Sequence, residues 1–380
     1  MHSDNFKKIG IYIHVPFCKS KCLYCDFCSF PQISRDKIDL YAERLVNDIL
    51  SFKAPDGVKY FPADTIYFGG GTPTVLDPCH FEKILLAIKK RFGISDDAEI
   101  TTECNPKTAD YEKLLALRGL GINRLSIGVQ SSDKDELKDL GRIHSFEDCK
   151  NTVNDARRAG FENISLDLMY GIPNQTRESF NRSLLDVISL NPNHISSYAL
   201  KIEEGTPFYR LKDKLILPCE DEVCLMYEDM CNSLSENGYN KYEISNFSKS
   251  GYESRHNLKY WTYEDYIGFG VSAHSFVGGE RIENSRDFDC YINGTNIEIS
   301  REKISFDEQK NEYVMLAMRL SGGVDICDFN KRFGLDFYSE FGAGFEEFAP
   351  EFVEMSDTYC RFTEKGFFVS NYILSEVLNF

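Results

Sequence analysis

The 380-residue sequence predicts an α/β fold in which residues 1–210 form a partial barrel of six parallel strands. Two observations lead to this prediction. Short runs rich in apolar and β-branched residues recur six times, and a segment with helical periodicity separates each run from the next. Strands separated by helices pair in parallel through right-handed crossovers, and such a barrel places its ligands at the carboxyl ends of its strands.

The six predicted strands cover residues 9–15, 65–68, 98–102, 123–129, 163–168 and 194–200. The first predicted helix begins at Ser34, a favourable N-cap residue, and carries Leu40, Leu45 and Ile49 on one face. The later helical segments show the same periodicity and cover residues 81–92, 111–117, 146–160 and 177–190. Every strong polar motif of the first half falls at the end of a predicted strand, as expected for a ligand-binding barrel.

The barrel pattern ends near Leu200, and residues 211–304 predict a connector or lid. This segment is rich in Gly, Asn and aromatic residues, with a helix predicted at 225–234 and a short strand at 242–244. It also contains the only Trp of the chain.

Residues 305–380 predict a small winged-helix-like α+β domain. Helical periodicity begins at Ser305 and stops before Gly322, a short helix is expected at 324–333, and a hairpin is expected over 360–369 with its turn at 363–366. In an acidic protein such a domain more often covers a site or contacts a protein than reads DNA.

The composition restricts the classes of function. A net charge of −17 argues against a nucleic-acid partner, because phosphate binding needs a basic surface, and leaves at most peripheral contact with a membrane. The sequence starts without an apolar signal region, and no stretch stays apolar long enough to span a bilayer. The thirteen cysteines are therefore expected to be reduced thiols, and the protein is expected to be cytoplasmic.

Three cysteines, Cys18, Cys22 and Cys25, lie in one short loop at a spacing that suits three corners of an iron–sulfur cube. Three thiolates leave one iron of a four-iron cluster open, so the cluster can bind and reduce a small molecule. Structural zinc normally takes four ligands in two spaced pairs, and no separate Cys-x-x-Cys or His-x-x-x-His follows later in the chain. Cys28 could serve as a fourth ligand and close the site, so spacing alone leaves this alternative open.

Residues 69–74, Gly-Gly-Gly-Thr-Pro-Thr, directly follow the second predicted strand. Because glycine has no Cβ, the backbone here can approach a ligand closely and offer its amide groups. A Walker phosphate loop would end in Gly-Lys-Ser or Gly-Lys-Thr, which is missing, and a plain tight turn is the remaining alternative. Together with the cysteine loop one strand earlier, this segment predicts a ligand site.

The cysteine loop, with Tyr24 before its third cysteine, and the Gly-Gly-Gly-Thr-Pro-Thr strand end resemble the radical S-adenosylmethionine (SAM) superfamily. More narrowly, the chain is similar to the oxygen-independent coproporphyrinogen III oxidase group and, within it, to the HemW group of heme chaperones. The similarity covers residues 9–370, with the C-terminal part less distinctive. It implies a partial (β/α)6 radical SAM barrel with a [4Fe–4S] cluster on Cys18, Cys22 and Cys25.

The resemblance also implies a SAM site at the strand ends. In the superfamily, the amino and carboxylate groups of SAM chelate the open iron, and one electron splits the sulfonium to give a 5′-deoxyadenosyl radical. Glu103 is expected to accept hydrogen bonds from hydroxyls, and Arg142 can pair with a carboxylate. The residues that the resemblance assigns to SAM are Tyr12, Gly70, Gly71, Thr72, Glu103, Gln130, Arg142 and Asp167.

Alternatives remain open for three of these residues. Asp167 could hold Arg142 or a substrate amine, but the two could also form a purely structural ion pair, because buried charges are normally paired. Gln130 could be a core amide whose hydrogen bonds are satisfied within the protein. No residue is assigned as catalytic.

Three features favour the chaperone group over the oxidase group. The oxidase pattern has a further Cys two places after the third cluster ligand, where this chain has Phe27. The oxidase carries a longer segment before its cluster loop. Residues 256–261, His-Asn-Leu-Lys-Tyr-Trp, resemble the His-Asn-x-x-Tyr-Trp signature of the chaperones.

The resemblance places heme near His256, Tyr260 and Trp261. An imidazole can ligate heme iron, and the two aromatic rings offer flat apolar surface to a porphyrin. On the residues alone, a cluster of histidine and aromatic side chains more often closes a core, and that alternative stays open.

The predicted function is that of a radical SAM protein that binds heme and delivers it to an apo-hemoprotein acceptor. A low-potential electron donor and a homodimer are the other expected partners. One alternative is an oxidase that converts coproporphyrinogen III to protoporphyrinogen IX by oxidative decarboxylation in porphyrin biosynthesis. An alternative of another class is a non-catalytic iron–sulfur or zinc binding module.

Overall fold

Twelve strands form one continuous sheet in the computed structural model, which describes residues 6–54, 59–295 and 297–378. The six predicted barrel strands are all present and pair in parallel with their neighbours in chain order. They are β1 Phe6–Val15, β2 Lys59–Gly70, β3 Ile94–Cys104, β4 Arg124–Gln130, β5 Asn163–Tyr170 and β6 His194–Ala199.

Helices connect these strands, as the periodicity predicts. Ser34 is the N-cap of the first helix, and Ser145 and Thr176 each form a capping box at the start of later ones. The helix α4 is too short for its periodicity to be recognised in the sequence. The helices are α1 Arg35–Ser51, α2 Pro78–Phe92, α3 Tyr111–Gly119, α4 Lys134–Asp139, α5 Phe146–Arg158 and α6 Arg177–Ser189.

The apolar core lies between the barrel strands and these helices, whereas the inside of the partial barrel is polar. Alternate strand residues such as Ile11, Ile66 and Leu125 are fully buried in the main hydrophobic cluster. The residues between them join neighbouring strands by hydrogen bonds across the interior. These bonds are Tyr67 to Glu103 at 3.0 Å, Ser126 to Asp167 at 2.9 Å, and Ser165 to His194 at 2.7 Å. A barrel with an apolar interior would have no such network.

Residues of the predicted connector or lid extend the sheet at both edges. Strand β8 pairs antiparallel with β6, and β9 pairs parallel with β1, with Tyr12 opposite Gly268. The domain boundaries at 210 and 304 stay a prediction. The strands are β7 Asn240–Glu243, β8 Asn246–Ser248, β9 Tyr266–Phe269, β10 His274–Val277, β11 Glu280–Asn284 and β12 Glu298–Lys303, and the helices are α7 Pro207–Leu211, α8 Glu220–Glu236, α9 Arg255–Trp261 and α10 Phe288–Asn293.

The C-terminal part contains a three-stranded antiparallel sheet and most of a second hydrophobic cluster, which also includes Tyr263 and Phe276 of the preceding segment. The predicted turn at 363–366 is wrong. Thr363 instead caps α14 by accepting a hydrogen bond from the Gly366 amide at 3.1 Å, and the hairpin lies earlier, between β14 and β15. The elements are α11 Phe306–Ala317, β13 Val324–Asp325, α12 Ile326–Phe333, a π-helical turn Tyr338–Gly342, α13 Ala343–Glu346, β14 Val353–Met355, β15 Tyr359–Phe362, α14 Glu364–Phe368 and α15 Ser370–Val377.

Within the described residues, every helix is too short or too polar to cross a lipid bilayer.

Candidate functional site

A cavity at the carboxyl ends of the barrel strands brings the cysteine loop and the polar strand ends together. Every residue predicted for the cluster or for SAM lines this cavity except Tyr12. The lining includes Cys18, Cys22, Cys25, Gly70, Gly71, Thr72, Glu103, Gln130, Arg142 and Asp167. Residues that are up to 149 positions apart in sequence therefore share one wall.

Backbone hydrogen bonds fix the cysteine loop against the end of β2 and against the segment after α4. The amides of Gly71 and Thr72 donate to the carbonyls of Val15 at 2.8 Å and Phe17 at 2.7 Å. On the other side, the Leu23 amide donates to the Leu140 carbonyl at 3.1 Å. The loop that carries the thiols is thus held by β2 on one side and by the segment after α4 on the other.

Two side chains donate hydrogen bonds to the cysteine sulfurs. Arg142 Nη1 lies 3.3 Å from Cys22 Sγ, and Thr72 Oγ1 lies 3.6 Å from Cys18 Sγ. Burial raises the pKa of the Cys18 and Cys25 thiols, so a bound metal would have to displace their protons. Donors aimed at the sulfurs stabilise the thiolate form that an iron–sulfur cluster needs.

Cys28 lies outside this group. Its Sγ is directed at the Arg286 carbonyl, at 3.7 Å, and it does not line the cavity. In the part of the chain that the structure describes, no three His, Cys, Asp or Glu side chains converge as ligands of a single metal ion would. A cubane binds each thiolate through a different iron atom, so its ligands are spread. The three thiols of the loop therefore fit a cubane better than a four-ligand zinc site.

The glycine-rich strand end needs glycine for steric reasons. A Cβ on Gly71 would lie 2.7 Å from the Phe17 carbonyl oxygen, and a Cβ on Gly70 would lie 2.5 Å from His14 Cε1. Gly70 also has a φ of +109°, which side chains rarely tolerate. The close approach of this segment to the cysteine loop is therefore possible only without side chains.

We expect Gly70→Ala to destabilise the fold more than Gly121→Ala, by about 1–3 kcal/mol in the free energy of unfolding. Both positions have a positive φ, at +109° and +98°, so both variants carry backbone strain. Only the Cβ at position 70 meets another group, because nothing lies within 4 Å of a Cβ at position 121. Urea unfolding of the two variants measures the difference, and equal losses would contradict the contact with His14.

Glu103 lies at the end of β3 and already accepts two hydrogen bonds. The Tyr67 hydroxyl donates to Oε1 at 3.0 Å, and the Gly70 amide donates to Oε2 at 3.1 Å. Desolvation, helped by the nearby Asp167 carboxylate, raises the pKa of Glu103 to about 7. Near neutral pH this carboxyl group therefore exists in both forms, and its ionised form can accept further hydrogen bonds from ligand hydroxyls.

Arg142 and Asp167 do not form the ion pair that was one alternative. Arg142 Nη2 donates to Asn105 Oδ1 at 2.9 Å and to the Gly128 carbonyl at 2.8 Å, while Asp167 accepts from Ser126 Oγ. The Arg142 Nε atom is buried without a partner. Both charged groups can therefore still form hydrogen bonds or ion pairs with a ligand in the cavity.

Two residues that form hydrogen bonds in the site, Asn105 and Tyr198, were not predicted from the sequence. Asn105 donates to Thr72 Oγ1 at 2.7 Å and accepts from Arg142, so it links the two side chains that contact cysteine sulfurs. The Tyr198 hydroxyl donates to Gln130 Oε1 at 3.1 Å. Both residues sit at strand ends beside predicted positions, and that position is the signal that could have identified them.

Tyr12 lies behind the cavity wall. Its hydroxyl is 3.0 Å from His14 Nδ1, its ring stacks on Tyr67 at 6.2 Å, and a Cβ on Gly69 would lie 3.0 Å from its ring. Direct contact between Tyr12 and SAM therefore stays a prediction. In the structure, the Tyr12 ring packs behind the glycine-rich segment and supports it.

The predicted heme residues lie in α9, away from the cysteine loop. His256 is buried, with Nδ1 2.8 Å from Thr65 Oγ1 and Nε2 2.9 Å from the Tyr260 hydroxyl. Burial, reinforced by the positive charges of Lys259 and Arg124, lowers its pKa to about 3. With both ring nitrogens engaged, His256 has none to offer to heme iron in this conformation. The geometry favours the alternative that the histidine and Tyr260 close a core, while Trp261 ends the helix half-buried.

Helix α9 fills the lower part of the barrel interior. The carboxylate of Glu99 accepts from the backbone amides of Arg255 and His256 at 3.2 and 3.1 Å, and Lys259 Nζ lies 3.1 Å from Asp64 Oδ1. Glu99 lies four residues before Glu103 on the same strand face, a separation of about 13 Å. The His-Asn-x-x-Tyr-Trp segment therefore supports the floor beneath the site and does not line the cysteine cavity.

Two family models match the chain. The model described as the radical SAM superfamily matches residues 12–187, a range that contains the cysteine loop and every predicted SAM residue. The model described as the HemN C-terminal domain matches residues 304–369.

Several proteins named heme chaperone HemW are similar over most of the chain. The Bacillus subtilis protein is 36% identical over 97% of this chain and 98% of its own length. The Lactococcus lactis protein is 34% identical over 98% of both chains, and the Escherichia coli protein is 36% identical over 82% of both.

Among solved structures, coproporphyrinogen III oxidase (HemN) from Escherichia coli, described as a radical SAM enzyme, superposes with a TM-score of 0.84. The match covers 98% of this chain and 91% of that chain at 24% sequence identity. At this identity the likeness supports the fold alone.

Proposed function

The chain belongs to the HemW family of radical SAM proteins, and on that premise we propose that it binds heme and delivers it to an apo-hemoprotein. We further propose that it carries a [4Fe–4S] cluster and SAM in the cavity at the strand ends. The observation that carries this proposal is the convergence of three half-buried thiols, the glycine-rich strand end and Glu103 on one cavity. The relatives' name, heme chaperone HemW, supports the part of the proposal that concerns heme binding.

In this proposal Cys18, Cys22 and Cys25 hold the cluster, and Thr72 and Arg142 stabilise the thiolates by hydrogen bonds to sulfur. When reduced, a cluster with an open iron can supply an electron to bound SAM and cleave its sulfonium bond. An external low-potential donor would supply that electron.

The strand ends are proposed to orient SAM. Glu103 and Asp167 offer carboxylate acceptors, the unpartnered Nε of Arg142 offers a donor, and Gln130 can bond through its amide. Glycine at positions 70 and 71 lets the ligand approach the backbone closely.

A transfer experiment tests the function. We expect anaerobically reconstituted protein to bind heme, seen as a shifted Soret band, and to pass it to an added apo-hemoprotein. We also expect coproporphyrinogen III to remain unchanged when the protein is incubated with SAM and a reductant. Formation of protoporphyrinogen IX would favour the oxidase alternative, and absence of both heme binding and SAM cleavage would favour a non-catalytic metal module.

A further inference from the structure

Arg124, the first residue of β4, is a buried arginine without a visible partner. Only 2% of its surface is exposed, and its Nε atom has no hydrogen-bond partner. Across the described residues, no carboxylate lies within ion-pair distance of its guanidinium group. Buried charges in proteins are normally paired, because an unpaired charge inside a protein is costly. The charges of Glu103 and Asp167 act on Arg124 without direct contact, so its guanidinium group can still take an anionic partner.

The guanidinium group lines a cavity inside the partial barrel. This cavity shares Tyr24, Glu103, Ser126, Asp167 and Tyr198 with the cavity of the cysteine loop, so the two adjoin. Its mouth reaches solvent beside Lys201, whose side chain is 82% exposed. A ligand that enters at this mouth would meet Arg124 at the inner end and the cysteine loop at the upper end.

The remaining walls of the cavity are mixed in character. Met169, Leu200 and the ring of Phe27 supply apolar surface, and Asn246 and Asn257 supply amide groups. Phe27 is 66% exposed, so its ring is accessible to a ligand at this wall. A ligand suited to these walls has an apolar body and a negatively charged arm.

We propose that Arg124 binds a carboxylate of the ligand that enters this cavity and that, under the function proposed above, this carboxylate is a propionate of heme. The planar guanidinium fork matches a carboxylate in geometry, and the bond is strong where water is excluded. A propionate joins a charged end to a flat apolar ring by a short flexible arm, which is the combination that the walls require.

The competing explanation is that Arg124 balances the charge of the interior carboxylates. These groups have donors of their own. Glu103 accepts from Tyr67 and the Gly70 amide, Asp167 accepts from Ser126, and Glu99 accepts from two amides of α9. A purely balancing arginine would not distinguish an acidic ligand from its neutral ester, whereas a carboxylate-binding arginine would.

The test compares heme with heme dimethyl ester, in which both carboxylates are neutral, on the cluster-loaded protein in one detergent buffer. We expect the wild type to bind heme at least about tenfold more tightly than the ester. Arg124→Met should lose about tenfold in affinity for heme while its affinity for the ester stays unchanged. Arg124→Lys keeps the charge and should lose less. Arg210→Met, at an exposed position, is the matched control and should behave as the wild type.

Equal affinity of the wild type for heme and its ester overturns the role of Arg124, as does an equal loss of both ligands in Arg124→Met. If Arg124→Met does not fold, the wild-type comparison and Arg124→Lys decide the question. A wild type that binds neither ligand overturns the proposed heme function instead, so the two failures are distinguishable.

Discussion

Cys22→Ser is expected to abolish cluster assembly and, with it, reductive cleavage of SAM. Cys22 is one of the three thiols of the cysteine loop that line the cavity beside the glycine-rich strand end, together with Cys18 and Cys25. Two remaining thiolates cannot hold three corners of a cubane, and the Arg142 donor 3.3 Å from Cys22 Sγ would lose its sulfur acceptor. Iron and sulfide content after anaerobic reconstitution, followed by 5′-deoxyadenosine formation on reduction, measures both effects.

Cys28→Ser is the matched control. Cys28 lies only three residues beyond Cys25, but its sulfur is directed at the Arg286 carbonyl and away from the cavity. This variant should retain wild-type iron content and SAM cleavage. A second control, Cys79→Ser, alters an exposed thiol in α2 and should also have no effect. If Cys28→Ser lost as much iron as Cys22→Ser, the site would have four cysteine ligands, and SAM could not reach an open iron.

The barrel could be predicted from the sequence because its signals are local. Each strand is a short apolar run, and each long helix carries its own periodicity and cap, as at Ser34 and Thr176. Of the additional strands, only β7 was predicted, as the short strand at 242–244. A strand such as β9 could not be predicted, because it is only four residues long and pairs with β1, more than 250 positions away. Pairing between such distant short segments leaves no local pattern.

Much of the candidate site was also predictable, since the carboxyl ends of parallel strands meet at one edge and the cysteine loop follows the first of them. The hydrogen-bond partners were not. Asn105 joins Thr72 to Arg142, and the Nε atom of Arg124 is buried without a hydrogen-bond partner, but neither fact has a sequence signal. The role of His256 could not be predicted either, because the same motif of histidine and aromatic residues occurs whether the side chains pack in a core or contact a ligand.

His256→Ala is expected to destabilise the fold strongly and to leave the heme affinity of the folded protein unchanged. The substitution removes a buried ring and leaves the hydroxyls of Thr65 and Tyr260 without their partner. Lost packing and unsatisfied buried groups together should lower the free energy of unfolding by about 2–4 kcal/mol. Urea unfolding and a heme titration of the same preparation measure the two quantities. His274→Ala is the control, because that side chain is 45% exposed and its loss should change stability little.

The pH dependence of this variant separates a structural histidine from a heme ligand. Burial lowers the pKa of His256 to about 3, so the folded chain keeps the ring neutral while the unfolded chain protonates it near pH 6.5. The contribution of His256 to stability is therefore complete above about pH 6.5 and is lost as the pH falls toward 3. The stability gap between the wild type and His256→Ala should narrow over this range. A gap that stays constant with pH, together with a large loss of heme affinity, would instead identify His256 as an accessible ligand.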